Sequence, residues 1–294
     1  MTRLRDCYGA TTKDGLPALV VPLAAIGDRV IGRRAAGCEL RAIRSARFHF
    51  RQEIWEGAAA ALVCTERAAR DIFSVLAVDI ATRLPDKPSW ATVAQSVAEW
   101  QALLAAAENP SATSELGLWG ELWFIDRAVT PSLLVAGWRG PERDATDFFV
   151  DGVAAEVKAS RQARQHHVSL SQVQEPVGEH PSYLLSLWVK EDPVRGLTVT
   201  ELVARIELAI DDRAALLRGL LRAGYSQTSG AYTAHYVVLD EPEWYATAAV
   251  PTVRVVDPGV TNIRYRVSLD VTTAVERARA NELWTHFLGQ SYTQ

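Results

Sequence analysis

The sequence predicts a mixed α/β protein, α+β in its broad segregation, with a core order α-β-β-α-β. Three observations carry this expectation: an apolar run at helical spacing around Leu118, an Asp-Gly pair between two β-prone runs at Asp151-Gly152, and an almost unbroken apolar stretch over residues 182–189. A β-rich N-terminal domain with two helices, residues 1–108, is expected ahead of the core domain, residues 109–294, whose C-terminal part extends the α/β pattern.

In the first domain, residues 19–22, 38–43, 47–51 and 58–64 read as short strands. An amphipathic helix follows over about 66–83, Pro85-Asp86-Lys87-Pro88 breaks the chain, and a second helix runs over about 89–107. Arg33, Arg34, Arg41, Arg44, Arg47 and Arg51 cluster there against a single acid, Glu39. On alternating strands several share a face, with Phe48 and Phe50 on the other. That face reads either as a DNA-contacting stripe or as a solvated surface.

The core domain opens with a helix over 116–125, in which Leu118, Leu122, Ile125 and Val129 form an apolar stripe. Glu121 falls at the border of that stripe, where a charge is costly unless it snorkels to solvent or meets a partner. Gly117 and Gly120 keep the helix thin where it would press on a sheet. An additional strand is expected near 135–138.

Asp151-Gly152 is a strong hairpin signal, and a two-residue turn fixes the register of its strands. Val150 then pairs with Val153, Phe149 with Ala154, Phe148 with Ala155, and Asp147 with Glu156. Like charges so placed cost up to about 1 kcal/mol when exposed, and more when desolvated. Lys158 lies two residues beyond Glu156, on the same face and diagonal to Asp147. One reading is a surface ion pair worth about 0–1 kcal/mol. The other is a cation site, in which the two carboxylates hold Mg²⁺, and water and a substrate phosphate complete its coordination. The Lys158 ammonium would then lower the pKa of the attacking water or stabilise charge on the phosphate, an arrangement suited to phosphodiester hydrolysis.

Downstream, residues 160–167 form a polar, partly cationic segment. Arg161 and Arg164 can meet phosphates there, or the segment is a solvated loop, and Ser160 repeats the two-residue period from Lys158. His166 and His167 are adjacent and cannot both ligate one zinc ion from a strand, and no Cys lies near them. Residues 169–173, which include Gln172, read as a short capped helix. The run 182–189 reads as a strand buried on both faces and reached by a crossover through that helix. Helices over 200–210 and 212–223, strand-like segments at 234–239 and 262–267, and a closing helix over 272–288 complete the chain.

Gly117-Leu118-Trp119-Gly120-Glu121-Leu122, then Gly137-Trp138-Arg139-Gly140-Pro141, then Asp147-Phe148 and Glu156-Val157-Lys158 resemble the PD-(D/E)XK nuclease superfamily. More narrowly, they look like a bacterial family of PD-(D/E)XK proteins found near restriction and phage-defence genes. The resemblance runs most clearly over residues 116–189. It implies a restriction-endonuclease-like core, with Asp147 and Glu156 as metal ligands, Lys158 as the catalytic lysine and Glu121 as an auxiliary acid. Gln172 resembles a polar residue that members place near the metal. Thr146 stands where the superfamily's name has proline, and Asp144 is a rival ligand.

The expectation is therefore a Mg²⁺-dependent DNA endonuclease, with Mn²⁺ as a substitute, in restriction or phage defence. Arg161, Arg164, Ser160 and Gln172 would line the DNA. Since duplex cleavage needs two cuts, a homodimer or partner proteins are expected. The alternative is a DNA-binding or scaffolding subunit of a defence complex. A net charge of −4 over 294 residues argues against a protein that coats nucleic acid nonspecifically, while local basic patches still permit binding. Three widely spaced cysteines, Cys7, Cys38 and Cys64, fit free thiols in a reducing cytoplasm. Neither a signal peptide nor a membrane span is expected.

Overall fold

The structure is a computed structural model that describes all residues except 1, 5, 28–31, 36, 51–52, 109–114, 139–145, 175–179, 226–231, 255–258 and 293–294. The chain forms two compact units, residues 1–109 and 110–294. Their elements make a mixed α+β protein.

The first unit holds β1 (Thr2–Leu4), β2 (Cys7–Thr11), β3 (Pro17–Leu23), β4 (Arg33–Ala35), β5 (Cys38–Phe50), β6 (Glu53–Cys64), α1 (Arg70–Arg83) and α2 (Trp90–Glu108). Its strands make one six-stranded antiparallel sheet in the order β1-β2-β3-β6-β5-β4. The two strands expected over 38–51 are one, β5, whose pairing with β6 slips between Ile43 and Ala46. A bulge there swaps the faces of the strand, so its alternation breaks and reads in sequence as a gap. A 3₁₀ turn at Arg67–Ala69 delays α1 to Arg70. Buried Asp79 of α1 accepts from Trp100 Nε1 of α2 at 2.8 Å and from Arg83 Nε at 2.9 Å. In the arginine stripe, Arg41 pairs with Glu39 at 2.6 Å and Arg47 with Glu56 at 2.8 Å. Arg51 and the side chains of Arg33, Phe48 and Phe50 lie outside the described residues.

The second unit begins with α3 (Glu115–Asp126), α4 (Pro131–Gly137), β7 (Phe148–Val150), β8 (Val153–Ser160), β9 (Gln165–Ser169), α5 (Leu170–Gln174) and β10 (Ser182–Glu191). It continues with α6 (Val199–Ala209), α7 (Arg213–Arg222), β11 (Tyr236–Val238), β12 (Glu243–Ala246), β13 (Arg264–Ser268) and α8 (Arg277–Leu288). The main sheet has five strands in the order β11-β10-β8-β7, with β12 also paired to β10. β8 and β10 run parallel, joined through β9 and α5, and their register sets Glu156 beside Leu184 and Lys158 beside Ser186.

Asp151 and Gly152 form the hairpin turn with φ of 43° and 81°, as a type I′ turn requires. β7 and β8 pair as that turn dictates, Val150 with Val153 and Phe148 with Ala155, and Asp147 immediately precedes β7. Strand alternation then divides the sheet. Ala155, Val157, Leu185 and Leu187 enter a large core with α3, α6 and α8, whereas Leu184 of the opposite face joins a smaller core with Val168, Val173, Tyr245 and Val267.

Several expectations are corrected. Residues 135–138 are not a strand: α4 ends at Gly137, and Trp138 makes one isolated bridge to Phe148. Pro131 near its start pre-organises that helix. Residues 165–169, read as loop and helix start, are strand β9, paired with β13 across about a hundred residues, and α5 starts only at Leu170. α3 has no one-sided stripe: residues 118–125 are all buried, while Val129, beyond its end, is 62% exposed. The closing helix starts at Arg277, and β12 was not foreseen. Among the described residues no helix is long and apolar enough to cross a membrane.

At Gly120, α3 lies close against the sheet. A Cβ there would lie 2.9 Å from the Ala159 Cβ, a rigid neighbour on β8. Gly120→Val is expected to lower the urea midpoint, because overpacking costs about 1–3 kcal/mol.

Candidate active site

Glu156 occupies the middle of β8, a central strand, and is 2% exposed; Lys158 Nζ lies 2.6 Å from its Oε1. Two residues apart on one strand, both side chains project from the face opposite the α3 packing surface. The amide of Gln172 on α5 also donates to Glu156 Oε1. Glu156 Oε2 is buried and has no hydrogen-bond partner. Asp147 is tied to the same place by the hairpin: its Oδ2 accepts from the Val157 N–H at 2.8 Å.

Glu121, on α3, is buried too, and its Oε2 accepts from Trp138 Nε1 at 2.7 Å. Three acids thus share one lysine. Burial pushes the Glu121 carboxyl up to about 7; the Trp138 hydrogen bond and Lys158 hold it down, while Glu156 pushes it further up. Asp147 is raised by burial and by the charges of Glu156 and Glu121. Burial also raises Glu156, against the pull of Lys158. For Lys158, burial favours the neutral form, but Glu156, Asp147 and Glu121 together raise it above the usual ammonium value. It stays protonated.

Behind Lys158, buried His166 of β9 hydrogen-bonds through Nε2 to Ser186 Oγ at 2.7 Å. Burial, then the charge of Lys158, pushes His166 down to about 4, which keeps it neutral. His167, the next residue, is exposed, so the two rings face opposite ways. Neither Trp138's bond nor Ser186 was foreseen as part of the site. Ser186 had one signal, as a polar interruption of the apolar run 182–189.

The other expected residues are placed differently. Ser160 shares the face of Lys158, and its Oγ accepts from the Gln162 N–H at 3.0 Å. Arg161 is paired with Glu191 and lies over the Tyr236 ring. Arg164 holds Glu243 through two nitrogens, each at 2.6 Å. Neither guanidinium is bonded to the acid cluster. Asp144 lies outside the described residues, as do Arg139, Gly140 and Pro141.

Among the described residues no group of three or more His, Cys, Asp or Glu side chains is arranged to hold a metal ion. The donor set is a pair, Asp147 and Glu156, and the orphaned Glu156 Oε2 is a buried acceptor in surplus negative charge. That fits a hard cation such as Mg²⁺, which takes one or two carboxylates and leaves its other positions to water and substrate.

Fold and site together define a mixed α+β protein built around a buried acid–lysine cluster. The family described as "Putative PD-(D/E)XK family member (DUF4420)" matches residues 14–270, and the chain belongs to it. No curated protein and no solved structure matches the chain.

A carboxyl whose folded pKa is raised stabilises the fold fully below its unfolded value and loses that contribution as pH climbs through the folded value. For Glu121 the window runs from about 4.5 to about 7. In EDTA, the urea midpoint should fall over that window, and Glu121→Gln should flatten the fall. Trp138→Phe keeps a ring but removes the donor that holds Glu121 down, so the fall should move to higher pH.

Proposed function

We propose that this chain is a divalent-metal-dependent DNA endonuclease acting in bacterial restriction or phage defence. The observation that carries the reading is Glu156: buried, paired with Lys158 through one oxygen and left with a free acceptor on the other, beside Asp147. The element order α3, α4, β7, β8, β9, α5, β10 supports it in part: it contains the succession α-β-β-α-β expected of a restriction-endonuclease-like core, with α4 and β9 inserted. Membership of a PD-(D/E)XK family supports the nuclease-type part of the reading.

Asp147 and Glu156 would hold Mg²⁺, or Mn²⁺ in its place, which supplies neutralisation and polarisation of the scissile phosphate. Lys158, kept protonated by its acids, stabilises the charge that builds on the phosphate oxygens rather than acting as a base. Glu121, raised to about 7, holds a water near neutral pH and can take its proton as the water attacks phosphorus. The P–O ester bond breaks, and its leaving oxygen is protonated from solvent. Gln172 and the Val157 N–H fix the orientation of the two carboxylates.

A scaffolding subunit that keeps the fold without catalysis is the second reading, favoured by the net charge of −4 and by the engagement of Arg161 and Arg164 with acids. Isothermal titration with Mn²⁺ separates the two. The nuclease reading expects binding that Asp147→Asn abolishes; a scaffold binds none.

Plasmid nicking in Mg²⁺ or Mn²⁺ should fall at least about a hundredfold with Lys158→Ala, the scale of losing one transition-state charge stabiliser. If the unaltered protein cuts no duplex, branched, methylated or single-stranded DNA with either metal, the endonuclease reading fails.

A further inference from the structure

The outer face of the β9–β13 ribbon carries cations without partners. β9 and β13 are antiparallel, with Arg264 opposite Ser169, Arg266 opposite His167 and Ser268 opposite Gln165. Alternation turns His166, Val168 and Val267 inward and leaves Arg264, Arg266, Ser268 and His167 exposed. Among the described residues, no salt bridge or side-chain hydrogen bond engages Arg264, Arg266 or His167. Arg161 and Arg164, by contrast, are spent on Glu191 and Glu243. Two unpaired guanidinium groups about 7 Å apart on one strand face gain nothing from each other. Their natural complement is a row of anions.

One end of the ribbon is wired to the acid cluster. The Ser169 N–H donates to Gln172 Oε1 at 2.8 Å, and the Gln172 amide donates to Glu156. The Leu170 N–H donates to the Ile263 carbonyl at 2.9 Å, which clamps the start of β13 to α5. Arg264, opposite Ser169, is the cation at the Gln172 end, and Arg266, opposite His167, is next to Val267, whose partner His166 bonds Ser186 beside Lys158, so both arginines flank the cluster from the ribbon's outer face. At the far end Asp270 accepts from Ser268 at 2.8 Å, which bounds the basic strip there.

We propose that this ribbon face binds the phosphate backbone of double-stranded DNA and leads it to the acid cluster; the proposal rests on the nuclease reading. The face carries no Phe, Tyr or Trp on which an unpaired base could stack. Tyr265, between the two arginines, is turned aside and donates its hydroxyl to the Pro251 carbonyl at 3.1 Å. Guanidinium groups without a stacking platform contact phosphates, which position a duplex without reading its sequence.

The test uses Lys158→Ala protein in EDTA, so that nothing is cut, with a fluorescein-labelled duplex followed by anisotropy over a range of salt concentrations. Adding Arg264→Gln and Arg266→Gln should weaken binding to unrelated duplexes alike. It should reduce the slope of log K against log salt by about 1.8, because each duplex phosphate contact contributes about 0.9. An unchanged urea midpoint confirms that the variant is folded. Duplex binding with unaltered affinity and slope overturns the ribbon proposal and leaves the nuclease reading standing, as does tight binding of single strands alone. Absence of nicking by the unaltered protein, together with the expected loss of slope, sinks the nuclease reading but supports the ribbon.

Discussion

The ion pair between Glu156 and Lys158 is the constraint to which the rest of this unit answers. A carboxylate at the centre of a sheet and almost out of water is tolerable only with close partners, and such pairs contribute little stability compared with apolar residues of the same volume. Here one ammonium serves three acids. Each acid has been given its own donor from a separate element: Gln172 of α5 for Glu156, the Val157 amide for Asp147, and Trp138 for Glu121. These donors hold the carboxylates in place without cancelling their charge. The cluster is held in place by hydrogen bonds and yet short of positive charge, a combination that concentrates at functional sites.

Stability comes from the other face. Phe124 of α3 meets the rings of Phe148, Trp244, Trp284 and Phe287, which belong to β7, β12 and α8. Elements that carry no chemistry in the sequence thus bury the residue next to Asp147. Without α8 and β12, the three-residue strand β7 would have little to hold it, and the hairpin could not keep its first carboxylate opposite Glu156.

What was legible in the sequence was local. The Asp151-Gly152 turn dictates its own register, so the meeting of Asp147 with Glu156 and Lys158 followed from residues within a dozen positions. Gly120 likewise announced a close helix–sheet contact. The β8–β10 register, which brings Ser186 beside Lys158, depends on a crossover whose geometry no short pattern encodes. The pairing of β9 with β13 is more remote still, and it explains why residues 165–169 read as the end of a polar segment and a helix start rather than as a strand. The short apolar run at Leu134-Val135 fits a strand or a helix equally, and only tertiary packing decided for α4. The bond from Trp138 to Glu121 joins two helical regions 17 residues apart, and neither residue's local pattern points to the other.

The main sheet ends at β7, and that border is nearly closed to further strands. It is three residues long, Trp138 already bridges to Phe148, and His286 Nε2 donates to the Val150 carbonyl at 3.0 Å. A short, occupied edge resists pairing with a neighbouring chain. Continuation of the sheet through β7 into a second copy of the chain is therefore disfavoured. The same closure keeps Asp147 at the margin of the sheet rather than inside a seam between two strands.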